Sequence, residues 1–306
     1  MRPLFSSLSA TCAMLMAIVP VPHARAAEPS DIQPFACESC DEWNQPHAPF
    51  RLHGNSYYVG VEGLSAILID TGAGLVLLDG GLPQSAPLIA ANIRALGFRV
   101  EDVRWIGMSH AHFDHAGGIA ALVRMSGGTA TVMATARGAE ALRAGDAPAD
   151  DPQAGLGDNF PPVKTPITVL ADGASLQLGN TRLQLHATPG HTPGGSAWTW
   201  RSCEGDRCLD MVYADSLTPV PADGFRFGPA DGPRVRQFRN TIDKIGALPC
   251  DLMVSAHPGA SRLFEREQRQ RSDPASRALE TPGACRAYAE QAHARLDQRL
   301  KEEAAR

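Results

Sequence analysis

Ser109-His110-Ala111-His112-Phe113-Asp114-His115 follows directly on the apolar run Val103–Met108 and decides how the rest of the chain is read. Four groups able to ligate a metal, His110, His112, Asp114 and His115, fall within six residues at the end of a strand-like segment. Where a strand ends the chain turns, so alternate side chains can converge on one point above the sheet edge. Imidazole together with carboxylate suits zinc or iron, and the absence of a nearby cysteine argues against a closed Cys-type structural site.

Two further histidines stand in loops stiffened by glycine and proline. His191 lies in Thr188-Pro189-Gly190-His191-Thr192-Pro193-Gly194-Gly195, and His257 in Ser255-Ala256-His257-Pro258-Gly259. Rigid loops on a scaffold are where ligating side chains are commonly held. Together they bring the ligand count to six, enough for two three-ligand sites that each keep an open position for water, the catalytic arrangement. His47, His53, His186 and His293 stand alone in the sequence and are read as ordinary histidines.

Outward from this motif, strand-like and helix-like stretches alternate. Asn55–Val61, Ser65–Asp70 and Gly74–Asp79 are short β-rich runs punctuated by glycine. Pro83–Leu96 carries apolar residues at Leu88, Ile89, Ile93 and Leu96, a helical stripe. Strand-then-helix steps follow at Val103–Met108 with Gly117–Met125 and at Thr129–Ala134 with Thr135–Arg143. A loop dense in Asp, Pro and Gly covers Ala144–Thr165. Strands are expected again at Thr168–Leu170, Ser175–Leu178, Thr181–Ala187, Gly195–Trp200 and Cys208–Ala214. Helix Gly232–Ile245, strand Asp251–Ser255 and a long polar helix Cys285–Ala304 complete the order. Two sheets between outer helices satisfy it, an α/β (α+β) sandwich without a linker-like stretch, so residues 27–306 are read as one domain.

Composition excludes several classes. The 306 residues are 43% hydrophobic and 20% charged, an ordinary globular balance. A formal charge of −5 with no long basic run gives no electrostatic footprint for nucleic acid. No apolar stretch reaches the roughly 18 residues of a membrane-spanning helix. Arg2, the mostly apolar Leu4–Val21 and Ala24-Arg25-Ala26 form the pattern of a secretory signal, cleaved before Ala27. Its removal takes Arg2 and Arg25 and no acid, leaving a mature charge of −7. The expected location is the periplasm.

Cysteine usage agrees with export. Seven cysteines are present; Cys12 leaves with the signal, and an even set of six in an exported chain reads as disulfides. Proximity groups them as Cys37 with Cys40, Cys203 with Cys208 and Cys250 with Cys285, one of 15 possible connectivities. The last pair would pin the C-terminal helix to the body of the protein.

The HxHxDH motif at His110–His115, the PGHTPGG histidine and the SAHPG histidine resemble the metallo-β-lactamase superfamily. Within it the chain is most similar to class B β-lactamases of subclass B3, secreted zinc enzymes that confer carbapenem resistance. Cys40-Asp41-Glu42-Trp43-Asn44, Gly54-Asn55-Ser56-Tyr57-Tyr58-Val59-Gly60 and Ala214-Asp215-Ser216-Leu217 belong to the same resemblance. It implies a four-layer αββα sandwich and two Zn2+ ions per chain. One ion would be held by His110, His112 and His191, the other by Asp114, His115 and His257. It also implies a small-molecule β-lactam as the partner, a monomer, and Asp114 as the catalytic residue that orients the attacking water.

One position stays open at this level. Related hydrolases, glyoxalase II-like enzymes among them, use a bridging aspartate near Tyr213–Ser216, and Asp215 stands there. Subclass B3 instead places a serine at the site, so Ser216 is assigned to the cleft and Asp215 behind it. A bridging Asp215 would shift the reading toward a thioesterase or lactonase. Ser216 and Thr218 are expected to meet the substrate carboxylate without help from a lysine, and Gln153 and Phe160 either roof the cleft or stand as ordinary loop residues. A nuclease is disfavoured by charge and export, and a non-catalytic zinc-binding protein by the filling of every ligand position.

Overall fold

The computed structural model describes residues 29–157 and 159–305; the secretory signal expected at 1–26 lies outside the described residues. Twelve strands build two sheets among these residues. The first, in spatial order β1 to β7, consists of β1 (Phe50–His53), β2 (Ser56–Tyr58), β3 (Ile67–Asp70), β4 (Leu75–Leu78), β5 (Val103–Gly107), β6 (Thr131–Ala134) and β7 (Ile167–Val169). Its first four strands form an antiparallel meander, and β4 to β7 are parallel. The second sheet runs β12-β11-β10-β9-β8: β8 (Ser175–Leu178), β9 (Thr181–Ala187), β10 (Ser196–Glu204), β11 (Arg207–Ala214) and β12 (Leu252–Ser255). Neighbours from β8 to β11 are antiparallel, and β11 and β12 are parallel.

Period-2 alternation sorts each strand into two layers of core. Ile67 and Ile69 of β3 point between the sheets, where they meet Trp198, Met211 and Tyr213 of the second sheet. Leu68, from the same strand, faces the helices Ala86–Ala95, Ile119–Met125 and Ala136–Ala144. On the other side Val212 and Ala214 of β11 and Met253 of β12 face the helices Pro233–Gly246 and Ala284–Ala304. Both sheets are thus apolar on both faces, which requires four layers, helix–sheet–sheet–helix.

The sheets are joined by hydrogen bonds beside the future site. Trp198 Nε1 and Ser196 Oγ donate to Met108 O at 2.9 and 2.7 Å, and Ser196 N donates to Ser109 O at 2.6 Å. A Cβ on Gly107 would run into the Trp198 ring, so only glycine allows β5 to approach β10 this closely.

The three cysteine pairs form disulfides: Cys37–Cys40, Cys203–Cys208 across the β10–β11 hairpin, and Cys250–Cys285 at the start of the last helix. Among the elements not expected from the sequence are the strand β1 and the helix Leu263–Ser272. β1 has a single strongly buried apolar residue, Leu52, and the helix Leu263–Ser272 buries only Leu263 and Arg266. Neither carries a readable period.

Candidate metal centre

The ends of four strands converge on one edge of the sandwich. After β5 the chain passes through Ser109–Ala111, and His112 starts the short helix Phe113–Ala116 in an extended conformation. His191 lies between β9 and β10, Asp215 and Ser216 follow β11, and His257 follows β12. His110, His112 and His191 approach one another with ring centroids 4.7–5.0 Å apart. One donor atom from each lies within 4.8 Å of the others, and His110, Asp114 and His115 satisfy the same condition. The structure therefore holds two His/Asp groups with the donor set of a dinuclear metal site.

His257 joins the second group closely. Asp114 Oδ2 stands 3.2 Å from His115 Nε2 and 3.3 Å from His257 Nε2, and the two nitrogens are 3.2 Å apart. A tetrahedral cation bound through contacts of about 2.0–2.1 Å spaces its donors about 3.3 Å apart, so this triangle fits a divalent ion.

Four of the five imidazoles have one nitrogen hydrogen-bonded behind the site. His110 Nδ1 meets Asp215 Oδ1 at 2.8 Å, His112 Nε2 meets Asp151 Oδ1 at 3.1 Å, and His191 Nδ1 meets Thr218 O at 2.7 Å. His257 Nδ1 meets Gly63 O at 3.1 Å. His115 Nδ1 has no hydrogen-bond partner among the described residues and lies 3.4 Å from Asp79 Oδ2. Such contacts fix the ring and its tautomer, leaving the opposite nitrogen for a metal. The opposite nitrogens are His110 Nε2, His112 Nδ1, His191 Nε2 and His257 Nε2, and His115 Nε2 joins them in the triangle with Asp114.

Electrostatics separates the two groups. Burial, with neighbouring imidazoles second, holds His110 well below the usual histidine range and His191 down to about 3. Both are neutral at physiological pH, the form that binds metal. Burial also opposes charge on His115, yet Asp114 and Asp79 outweigh it and lift its pKa to about 10. Asp114 is likewise disfavoured as an anion by burial, but His115 and His257 pull its carboxyl well below the ordinary range. In the metal-free protein the triangle holds a proton where its geometry fits a divalent cation.

Asp215 is fully buried, and both its oxygens are occupied: Oδ1 by His110 Nδ1 and Ser216 N (2.8 Å each), Oδ2 by Thr188 Oγ1 at 2.6 Å. A Cβ on Gly195 would collide with Oδ2, so that loop leaves the carboxylate room only as glycine. Asp215 thus backs His110, and Ser216 lines the cleft.

The cleft over the centre has a volume of about 430 Å³. Gln153, Ser216 and Thr218 line it together with His112, Asp114, His191 and His257. Phe160 does not roof it: the side chain is buried in the core between the first sheet and its helices, which corrects the expectation from sequence. No lysine lines the cleft among the described residues, but Arg295 of the C-terminal helix does, a cation that the sequence reading had not placed there. Trp43 forms part of the wall, its ring centroid 5.2 Å from that of His257.

Asp79 was not singled out from sequence. It is fully buried with φ at +65°, and accepts from Ser109 Oγ at 2.6 Å and Tyr213 Oη at 2.7 Å. A left-handed conformation costs an L-residue about 1–2 kcal/mol, tolerated here because several donors fix the carboxylate under His115. His47, His53, His186 and His293 make local contacts away from the centre, as expected for ordinary histidines.

Comparison with known proteins agrees with this geometry. The family model described as Metallo-beta-lactamase superfamily matches residues 52–257. The solved structure of Rm3 metallo-beta-lactamase is 48% identical with a TM-score of 0.84, covering 88% of this chain and 99% of that one. MEM-A1, a subclass B3 metallo-beta-lactamase isolated from a soil metagenome library, is 46% identical with a TM-score of 0.82, covering 86% and 99%. A hydroxyacylglutathione hydrolase of Anaeromyxobacter dehalogenans (strain 2CP-C) is 34% identical over 193 residues, 63% of this chain. The match spans 59% of that curated relative's length. The chain belongs to the metallo-beta-lactamase superfamily, with the fold and the two-group metal site that define it. Within that superfamily its place is among the subclass B3 enzymes, which are its structural neighbours at 43–48% identity.

Proposed function

We propose that the chain hydrolyses the amide bond of β-lactam rings at a centre holding two Zn2+ ions. His110, His112 and His191 hold one ion, and Asp114, His115 and His257 hold the other. Five imidazoles with a single carboxylate favour zinc over the all-oxygen cations Mg2+ and Ca2+. When bound, the ions supply Lewis acidity and bring the pKa of a coordinated water from 15.7 toward about 7.

The remaining work falls to the chain. Asp114 turns Oδ2 into the donor triangle, which leaves Oδ1 to accept a hydrogen bond from the attacking water and orient it. The Ser216 and Thr218 hydroxyls donate to the substrate carboxylate from one wall, and the Gln153 amide borders the substrate from another. Tyr288 Oη donates to Asp215 O at 3.0 Å and so steadies the backbone that presents Ser216. The chain contains neither a Gly-x-Ser-x-Gly nor a Ser-x-x-Lys sequence, in keeping with attack by water.

The observation that carries this reading is the orientation of Asp215. Thioester and lactone hydrolysis on this fold would call for a bridging carboxylate at that position, and the match to a hydroxyacylglutathione hydrolase favours such a second reading. With both oxygens bound to His110, Ser216 and Thr188, Asp215 is turned away from Asp114 and His257. Three disulfides accord with action in the periplasm. The test compares imipenem, benzylpenicillin and S-lactoylglutathione as substrates of protein beginning at Ala27, with and without chelator. Lactam turnover abolished by chelation and restored by zinc is the expected result. Efficient thioester turnover with none on lactams would overturn it.

A further inference from the structure

The helix Ala284–Ala304 is held at its start by Cys250–Cys285 and buries Tyr288, Ala292 and Leu296 against the second sheet. Tyr288 and Arg295 are seven residues apart, nearly two turns, so they share a face about 10 Å apart along the axis. Both line the cleft. Arg295 also borders a second groove of about 430 Å³, which shares Thr218 and Val220 with the cleft and continues past Gln298 and Arg299.

Charge makes this position distinctive. Arg295 is the only Lys or Arg among the residues that line the cleft, in a protein whose formal charge is −5. The acids around it are committed elsewhere: Asp297 to Arg239 at 2.6 Å, Glu302 to Arg299 at 3.7 Å, and Glu303 to Phe227 N at 3.2 Å. Among the described residues Arg295 makes no hydrogen bond or ion pair. An unengaged guanidinium beside the Ser216 and Thr218 hydroxyls presents planar paired donors to an anion, and a carboxylate matches that fork.

We propose that Arg295 binds the carboxylate that penicillins, cephalosporins and carbapenems carry next to the lactam nitrogen, and so sets selectivity for anionic lactams. This rests on the β-lactam reading above. Ser216 and Thr218 supply hydrogen bonds at the inner end of that subsite, and Arg295 supplies the charge at its mouth. The guanidinium is solvent-exposed, so the contribution is moderate and screened by salt.

The experiment compares Arg295→Gln and Arg295→Lys with the unmodified zinc-loaded protein on benzylpenicillin and its methyl ester. The expected result is a KM for the acid raised about 3–10-fold in Arg295→Gln, partly restored in Arg295→Lys, with a weaker dependence on salt. The ester should not distinguish the three proteins. An unchanged KM for the acid, or equal losses on acid and ester, would overturn the assignment. If the unmodified protein hydrolyses no lactam, the proposed function fails, and calorimetric titration with benzylpenicilloate, the ring-opened dianion, reads the subsite without turnover. Weaker binding to Arg295→Gln then supports the anion site, and equal binding overturns it.

Discussion

Replacing Asp215 by Asn removes one negative charge from behind His110 while keeping the shape of the side chain. Three donors surround the carboxylate, at 2.8 Å from His110 Nδ1, 2.8 Å from Ser216 N and 2.6 Å from Thr188 Oγ1. The amide oxygen can take the first two, and the amide nitrogen then faces Thr188, whose hydroxyl can rotate to accept. Geometry is therefore retained, but two hydrogen bonds lose a charged acceptor, and His110 becomes a poorer electron donor to metal. Loss of such a partner typically costs 10–100-fold in metal affinity, about 1.4–2.8 kcal/mol. Burial pushes the Asp215 carboxyl well above the usual carboxylate range, so the metal-free fold should not be weakened by Asn. Competition with a chromophoric chelator measures the affinity, and thermal unfolding with chelator present measures the metal-free stability. Weaker metal binding at full stoichiometry, with unchanged or higher metal-free Tm, is expected. Unchanged metal affinity would refute the reasoning, and loss of one ion from the stoichiometry would indicate a direct ligand instead.

Asp114→Asn should leave the fold intact and lower turnover about 10²–10⁴-fold; near-normal turnover with two bound zinc ions per chain, measured by elemental analysis, would contradict the role given to Asp114. In the metal-stripped protein, His191 with its pKa near 3 withdraws about 2 kcal/mol of stability by pH 5, because the unfolded chain takes up a proton that the folded one refuses. His115, raised to about 10, contributes fully below pH 6.5 and loses its contribution as pH climbs toward 10, so calorimetric Tm should peak near pH 6.5; a flat or steadily rising profile from pH 6.5 to 9 would exclude this. Replacing Cys250 and Cys285 by Ala opens a loop of 35 residues and should cost about 4 kcal/mol in denaturant unfolding. A loss below about 1 kcal/mol would show that the last helix docks without its cross-link.

Features governed by local chemistry were legible from sequence. The HxHxDH segment places four ligands on one strand end by spacing alone, and alternating apolar residues revealed most strands and both sheets. β1 and the helix Leu263–Ser272 escaped because their burial is too sparse to print a period on the sequence. Phe160 was misplaced because an aromatic in a loop rich in Asp, Pro and Gly looks exposed, whereas the loop folds its ring into the helical layer.

The sequence alone offered six candidate donors, a grouping of the cysteines by proximity and the order of layers, since these are read from motifs, spacing and period. Only the tertiary structure decided which nitrogen of each imidazole is free, that Asp215 backs His110 while Ser216 faces the cleft, and that Arg295 reaches the cleft. Asp215 meets a histidine 105 positions away, and Asp151 one 39 positions away. Such partners are set by how two sheets and their covering helices stack. The orientation of a side chain and the protonation of a buried group follow from that packing, which no local spacing encodes.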